Sequence, residues 1–239
     1  MKTKNLIKLT AGVLLWPLVL ASFRAFLTQL GAFTNYQGSI QYYFFGGFLS
    51  YLLFQFIFFK PIRTYVFGHE LTHALWSLMF GGRVKDFTVK ATSGKVVLTK
   101  TNFLINLAPY FFPIYTFIVV IIYTILRSFD LAQKLFVYII FALGFTFSFH
   151  IALLIYAFSL GQSDVKKTGR VFSLTLVVLF NIIVAVLILK LMVPDTIQVA
   201  DFARESLLTC QAIWLWLGTS LVEFKDLILK DKALFQWNK

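Results

Sequence analysis

The fold class follows from residues 171–193, which read VFSLTLVVLFNIIVAVLILKLMV and contain one charged side chain, Lys190. A helix rises about 1.5 Å per residue, so this segment is long enough to cross the roughly 30 Å hydrocarbon core of a bilayer. Similar apolar runs cover residues 9–30, 42–59, 62–80, 102–126 and 134–160. The sequence therefore predicts an all-α polytopic membrane protein with about six transmembrane helices.

The composition of the chain supports this fold class. Soluble globular domains contain about 45–50% apolar and about 25% charged residues, whereas this chain of 239 residues is 59% hydrophobic and 13% charged. Such a composition excludes an ordinary soluble enzyme and a disordered protein, and the single cysteine, Cys210, excludes a disulfide-built module. We expect an integral, multi-pass protein of the cell's inner or plasma membrane.

The net charge is +12, from 22 Lys and Arg against 10 Asp and Glu. The basic residues lie between the apolar runs, where they suit phospholipid head groups. No basic run alternates with stacking aromatic side chains on a polar face, so we expect the lipid bilayer and not nucleic acid as a partner. Lys2, Lys4 and Lys8 precede the first apolar run and predict a cytoplasmic N-terminus.

Two regions have a different pattern from the apolar runs. Residues 83–100 read RVKDFTVKATSGKVVLTK, are rich in Val and Thr, and have Ser93 and Gly94 near their centre, which predicts one short β-hairpin. Residues 207–229 mix tryptophan and leucine with charged side chains, which favours an amphipathic C-terminal helix on the membrane surface over a seventh span.

One short motif carries the chemistry, His69-Glu70-Leu71-Thr72-His73, in a chain with only three histidines and three glutamates. Residues i and i+4 share a helix face, so His69 and His73 can both reach one Zn²⁺ at about 2.0–2.1 Å. Glu70 is offset by about 100°, so it flanks the metal and can take a proton from water whose pKa zinc lowers to about 7. Helix packing or a proton relay is the alternative, but ionisable groups at membrane depth cost several kcal/mol and usually mark function.

A catalytic zinc site needs a third protein ligand and an open position for water. Three downstream residues are candidates: Asp164 between two apolar runs, His150 inside an apolar run, and Glu205 in the tail. The alternative for Asp164 is a helix N-cap, and the alternative for His150 is a packed, hydrogen-bonded core residue. The ligand preferences of zinc favour Asp164 and leave the other two open.

The motif and its surroundings resemble the site-2 protease family of intramembrane zinc metalloproteases. The helix with the motif is preceded by Gly68, and later features follow in an order similar to the family core: Gly81-Gly82-Arg83-Val84, a hairpin with Gly94, and Ala108-Pro109. The resemblance covers about residues 67–193. Where the common family form has Asn-x-x-Pro followed by Leu-Asp-Gly, this chain has Gly161-Gln162-Ser163-Asp164, so it resembles a divergent branch.

The resemblance implies a zinc metalloendopeptidase that cleaves a membrane-protein substrate in or near a transmembrane segment. It implies Zn²⁺ as cofactor, with His69, His73 and Asp164 as ligands and Glu70 as the catalytic base. We accordingly divide the chain into N-terminal transmembrane spans at 1–60, a catalytic membrane core at 61–193 and an interfacial tail at 194–239.

Two apolar runs separate the motif helix from Asp164. If both cross the membrane completely, the N-terminal ends of the motif helix and of the span after Asp164 face opposite sides of the membrane. A broken or re-entrant segment near Gly161 would still bring Asp164 to the histidines. Pro109 and Pro113 also flank a predicted break in the fourth run, because proline removes helical hydrogen bonds.

Other residues are candidates for contact with the substrate. The hairpin edge is a candidate for holding an unwound substrate segment by strand addition; the alternative is a hairpin that only closes the loop. Asn106, Gln162 and Asn181 are candidate donors to the oxyanion of the scissile carbonyl, with interhelical hydrogen bonds as the alternative.

Two other functions remain open from the residues. One is a membrane-embedded zinc protease in which Glu205 is the third ligand. The other is a metal-binding membrane scaffold without catalytic activity, which would bind zinc and cleave nothing.

Overall fold

The computed structural model describes residues 2–58, 60–129 and 131–237. Five residues of the three regions predicted from the sequence lie outside the described part: Met1, Phe59, Asp130, Asn238 and Lys239. Within the described part the chain is mostly helical, and its elements follow in the order α1 (Lys2–Leu14), α2 (Trp16–Thr34), α3 (Ile40–Ile57), α4 (Ile62–Met79), β1 (Val84–Val89), β2 (Gly94–Leu98), α5 (Phe103–Phe111), α6 (Ile114–Arg127), α7 (Ala132–Ser159), α8 (Ser163–Thr168), α9 (Arg170–Met192) and α10 (Val199–Trp237).

Several helices are long and apolar enough to cross a membrane. By length and composition the described residues contain five such stretches, Asn5–Thr34, Ile40–Ile57, Gln133–Ser159, Arg170–Met192 and Val199–Asp226. Helices α5 and α6 add a sixth if they are taken as one span, although they are bent by 74°. This architecture is compatible with the predicted all-α membrane class, and the number of spans stays a prediction.

The candidate spans differ from the predicted ones at two helices. Helix α4 is formed as predicted, but it is not among the candidate spans, because the polar residues of its motif lower its hydropathy. Helix α10 contributes Val199–Asp226, although the sequence predicts an amphipathic surface helix for the tail. The helical state of the tail is confirmed, and its position on the membrane surface stays a prediction.

The helices share one large apolar cluster, to which α2, α3, α7 and α9 contribute buried residues such as Val19, Phe44, Ile140 and Val186. Helices α1 and α2 pack against α9, and α10 packs against α2. Helices from all three predicted regions are therefore in contact, and the division at residues 60 and 193 stays a prediction.

Helices α3 and α7 approach each other closely at two glycines. A Cβ atom at Gly47 would collide with the carbonyl oxygen of Phe141, and one at Gly144 would collide with the carbonyl oxygen of Phe44. Small residues allow helix backbones to meet in this way, which is how helices associate in a bilayer without a water-driven hydrophobic effect.

The predicted hairpin is present as a two-stranded antiparallel sheet. Strand β1 pairs with β2 from Val84↔Leu98 to Val89↔Gly94, with an irregularity between Val84 and Asp86. Both strands pack against α4, the helix with the His-Glu-x-x-His motif. The hairpin therefore lies beside the residues that carry the predicted chemistry.

The predicted breaks occur where the sequence places proline and glycine. Helix α5 contains Pro109 and ends at Phe111, and α6 begins at Ile114, directly after Pro113. Helix α7 ends before Gly161, whose φ is +66°, a left-handed conformation that favours glycine. The short helix α8 follows, and it packs against α5 and α9. These two breaks allow α8 to reach the motif helix.

Candidate metal centre

Three side chains from two distant segments meet beside α4. The ligand atoms of His69, His73 and Asp164 all lie within 4.8 Å of one another. His73 Nε2 is 3.2 Å from His69 Nε2, and Asp164 Oδ2 is 3.5 Å from His73 Nε2 and 3.8 Å from His69 Nε2. The structure thus brings together the three residues that the sequence and the family resemblance nominate as metal ligands.

The spacing of these atoms fits a tetrahedral metal ion. Two ligand atoms that are each about 2.05 Å from a tetrahedral zinc lie about 3.3 Å apart, and the three observed separations run from 3.2 to 3.8 Å. The side chains of His69 and His73 are 9% exposed and that of Asp164 is 18% exposed, so the site is sheltered but open on one side. Two imidazoles and one carboxylate are ligands that zinc accepts, and the same set also binds other first-row divalent metals such as iron(II).

The tautomer of His73 is set by a backbone carbonyl. Nδ1 of His73 lies 2.8 Å from the carbonyl oxygen of Ile105, and because a carbonyl only accepts hydrogen bonds, Nδ1 must be the donor. A neutral His73 therefore presents a lone pair at Nε2, toward His69 and Asp164. This lone pair and the Asp164 carboxylate are two acceptors at the centre of the cluster, and a metal ion or a proton on Nε2 of His69 would satisfy them.

A proline makes the Ile105 carbonyl free to bind His73. In helix α5 this carbonyl would normally accept from the N–H of residue 109, but Pro109 has no N–H. Ile105 is 1% exposed, so water does not replace the missing donor. His73 supplies the donor instead, and α5 in turn fixes the ring whose other nitrogen faces the site.

We expect Pro109→Ala to weaken metal binding, because the introduced alanine supplies an N–H that competes with His73 for the Ile105 carbonyl. Groups that hydrogen-bond to metal-binding histidines typically contribute 10- to 100-fold to affinity, so we expect a loss of about 10-fold. A chelator competition titration measures the affinity, and ¹⁵N NMR of the imidazole reports the tautomer of His73.

Pro113→Ala is the matched control for this prediction. It also restores an N–H in the α5–α6 segment, but its helical acceptor would be the carbonyl of residue 109, which makes no contact with the histidines in the described bonds. Equal metal affinity in the two variants would show that the carbonyl of Ile105 does not position His73.

His69 has a hydroxyl partner that the sequence analysis missed. The hydroxyl of Tyr65 lies 3.3 Å from Nδ1 of His69, so Nε2 of His69 faces the other two ligands. Tyr65 precedes His69 by four residues on α4, and this helical spacing was available in the sequence as a signal. The ring of Tyr110 from α5 packs edge-on against His69 at 5.2 Å between centroids.

Asp164 is located in the first turn of α8 and is not the N-cap of that helix. The N-cap position is occupied by Gln162, which makes no capping hydrogen bond with its side chain. The carboxylate of Asp164 is turned toward the histidines, and its other oxygen lies 3.7 Å from Nζ of Lys167. The capping interpretation of Asp164 therefore does not account for its contacts.

Glu70 is buried between α4 and the tip of the hairpin. A Cβ atom at Gly94 would lie 2.6 Å from Cγ and 2.8 Å from Oε1 of Glu70, so only glycine fits against this carboxylate. Glu70 and Asp164 both line two adjoining clefts, with volumes of about 240 and 390 Å³. The larger cleft also contains His73 and the whole length of β2, so the ligand cluster, Glu70 and the strand face one shared space.

We expect Gly94→Ala to displace the Glu70 carboxylate and to reduce catalysis without removing the ligands of the metal. The added methyl group would lie 2.6 Å from Cγ and 2.8 Å from Oε1 of Glu70 and 2.7 Å from Cγ1 of Val66, so these side chains or the strand must move. A displacement of about 1 Å at a catalytic group can cost about 100-fold in rate. Cleavage rate and metal content should be measured together.

Gly31→Ala on α2 serves as the control, because among the described residues no atom beyond the adjacent residues and the local helix backbone lies within 4 Å of a Cβ there. If Gly94→Ala cleaves as fast as Gly31→Ala, the close approach of Gly94 to Glu70 has no catalytic consequence.

The two other candidate ligands make different contacts. Nε2 of His150 lies 3.1 Å from Oδ1 of Asn181, between α7 and α9. Glu205 on α10 accepts a hydrogen bond of 3.1 Å from the hydroxyl of Thr28 on α2. Neither residue belongs to the cluster of potential metal ligands found among the described residues.

The three candidate oxyanion donors also separate by position. Asn181 is fully engaged, because its amide donates to the carbonyls of Tyr110 and Val177 and its oxygen faces His150. Asn106 and Gln162 line the clefts beside Asp164. The oxygen of Asn106 accepts from the hydroxyl of Thr101, which leaves its NH₂ group as a donor. The contacts of Asn181 are interhelical hydrogen bonds, as the alternative predicts. Asn106 and Gln162 remain candidate donors to the oxyanion.

Comparison of the chain with protein-family models, with curated proteins and with solved structures finds no match. Support for a function therefore comes from the residues of the site and from the resemblance of the His-Glu-x-x-His motif to that of the site-2 proteases.

Proposed function

We propose that this chain is a zinc-dependent protease of the membrane, similar to the site-2 proteases, that hydrolyses a peptide bond in or near a transmembrane segment of a membrane-protein substrate. The observation that supports this most strongly is the convergence of His69, His73 and Asp164 within 4.8 Å, beside Glu70 of the same motif. The apolar helices around the site support a substrate drawn from the membrane.

In this proposal His69, His73 and Asp164 hold the ion. When bound, Zn²⁺ supplies Lewis-acid chemistry, because it lowers the pKa of a coordinated water to about 7 and polarises the scissile carbonyl. Glu70 accepts the proton of the attacking water and delivers it to the nitrogen of the leaving amine. Asn106 and Gln162 donate hydrogen bonds to the oxygen of the carbonyl as negative charge develops there.

The hairpin gives the cleft a way to hold an extended peptide. Among the described residues strand β2 pairs with one strand, β1, and residues 94–98 line the larger cleft, where the backbone of Val96 hydrogen-bonds to Glu70. A substrate segment that has lost its helical structure can pair with such an edge, and its main-chain hydrogen bonds then fix the register of cleavage. This placement supports the strand-addition hypothesis over a hairpin that only closes the loop.

The protease with Glu205 as third ligand is less well supported. Glu205 bonds to Thr28 and lies outside the ligand cluster, whereas Asp164 lies inside it. The inactive scaffold differs from the protease only in catalysis, since it would bind the same metal. Intact His69, Glu70 and His73 favour the protease, because the loss of any one of them suffices to abolish activity.

The experiment that tests the proposal is proteolysis by the purified chain in liposomes that also contain a panel of single-span proteins. We expect at least one to be cut in or near its span, with the products identified by mass spectrometry. A zinc chelator should stop cleavage and added Zn²⁺ should restore it, while the same chelator presaturated with zinc should have no effect. Cleavage that persists after verified metal removal would overturn the metal-dependent mechanism.

A further inference from the structure

A second pocket beside α8 combines basic and apolar side chains, and it shares Gln162 with the smaller cleft at the metal centre. Its walls include Phe158 at the end of α7, Val165 of α8 and Leu174 of α9, and its rim carries Lys166 and Arg170. The pocket has a volume of about 350 Å³. It lies where the candidate spans Gln133–Ser159 and Arg170–Met192 end and begin, which is the level at which lipid head groups meet the hydrocarbon.

The two cations at this rim have no acidic partner within the described part of the chain. The ion pairs among the described residues all involve Asp164, and they join it to His69, His73 and Lys167. Lys166 and Arg170 are exposed and take part in none of these pairs. A guanidinium and an ammonium beside each other make a site for phosphate, which arginine binds through paired hydrogen bonds.

The apolar walls select among phosphate-bearing ligands. A free phosphate ion would contact the cations only and would leave the partly buried Phe158 and the exposed Leu174 uncovered. A phospholipid places its phosphate at the rim and an acyl chain against the apolar walls, so it satisfies both halves of the pocket. The headgroup of a lipid with net negative charge carries no unbalanced positive group that would repel Lys166 and Arg170.

We propose that this pocket is a binding site for an anionic phospholipid, which packs against residues of α8 other than Asp164 and holds that helix in place. Val165 and Lys166 contact the lipid, while Asp164, their neighbour in the same six-residue helix, faces His69 and His73. Lys8 of α1 also stabilises α8, because its Nζ donates a hydrogen bond of 3.1 Å to the carbonyl of Lys167. Lipid binding therefore stabilises the hydrogen-bonded helical state of α8. This inference does not depend on the proposed proteolysis.

The test is lipid binding by the full chain in phosphatidylcholine nanodiscs with and without phosphatidylglycerol. The double variant Lys166→Gln/Arg170→Gln should bind phosphatidylglycerol about 30-fold more weakly, at about 5-fold for each cation removed. The charge-matched control Lys85→Gln/Lys90→Gln changes exposed residues of the hairpin region and should bind it as the wild type does. Native mass spectrometry counts the bound lipids, and thermal unfolding confirms that both variants fold.

Two further arms separate the alternatives. Inorganic phosphate should not displace the bound phosphatidylglycerol, and displacement would overturn a lipid site in favour of a phosphate site. Amide hydrogen exchange at residues 163–169 should slow when phosphatidylglycerol is present, in the wild type and not in the double variant. Equal lipid binding by the two double variants, or unchanged exchange in the wild type, would overturn the proposal. None of these readouts requires metal or cleavage, so the proposed protease can fail while this site stands.

Discussion

Glu70→Gln should abolish proteolysis while leaving the metal in place. The amide has nearly the shape of the carboxylate, so it fits against Gly94, but it cannot accept the proton of the attacking water. General bases contribute about 10²- to 10⁴-fold to rate, and we expect a loss in the upper part of that range. The measurement is the initial rate of cleavage in liposomes, with metal content determined on the same preparation.

Glu223→Gln is the matched control, because it makes the same chemical change on the exposed part of α10, outside the ligand cluster. It should cleave at the wild-type rate. Full activity in Glu70→Gln would remove Glu70 as the base. A wild type that binds zinc but cuts nothing, even with its true client present, would favour the inactive scaffold.

Asp164→Ala should lose the metal, because it removes one of three ligands and leaves two imidazole nitrogens 3.2 Å apart without the carboxylate. Groups that merely orient a ligand cost 10- to 100-fold in affinity, so loss of a direct ligand should cost more than about 100-fold. Competition with a chromophoric chelator gives the dissociation constant, and thermal unfolding without metal shows whether the variant folds.

His150→Ala and Glu205→Ala also test which residue is the third metal ligand. Each removes an alternative ligand that the structure places in a separate contact, with Asn181 and Thr28 respectively. Both variants should keep metal affinity within a few-fold of the wild type. If Glu205→Ala loses the metal and Asp164→Ala keeps it, the site belongs to the Glu-liganded class of zinc protease, and the assignment of Asp164 is wrong.

Much of the fold was predictable because it follows from local pattern. Apolar runs longer than a bilayer predicted the long helices, and the Val- and Thr-rich segment at 83–100 predicted the hairpin that forms there. The break near Pro109 and Pro113 followed from the missing proline N–H groups. Helix α4 falls outside the candidate spans because its apolar run contains the polar groups of the motif, and the number of spans stays a prediction.

The site was predictable only in part. The i, i+4 spacing placed His69 and His73 on one face, since a helix fixes that geometry locally. The approach of Asp164 depends on the bend between α5 and α6 and on the turn at Gly161, which tertiary packing sets. The bond from His73 to the Ile105 carbonyl joins residues 32 apart in sequence, so its partner could not be read from the motif.

The most direct test of the account is the metal content of the purified wild-type protein, determined by elemental analysis beside the double variant His69→Ala/His73→Ala. The account predicts about one zinc ion per wild-type chain and essentially none in the variant, because two of the three ligands are lost. A wild-type protein without stoichiometric transition metal, indistinguishable in metal content from the double variant, would contradict it.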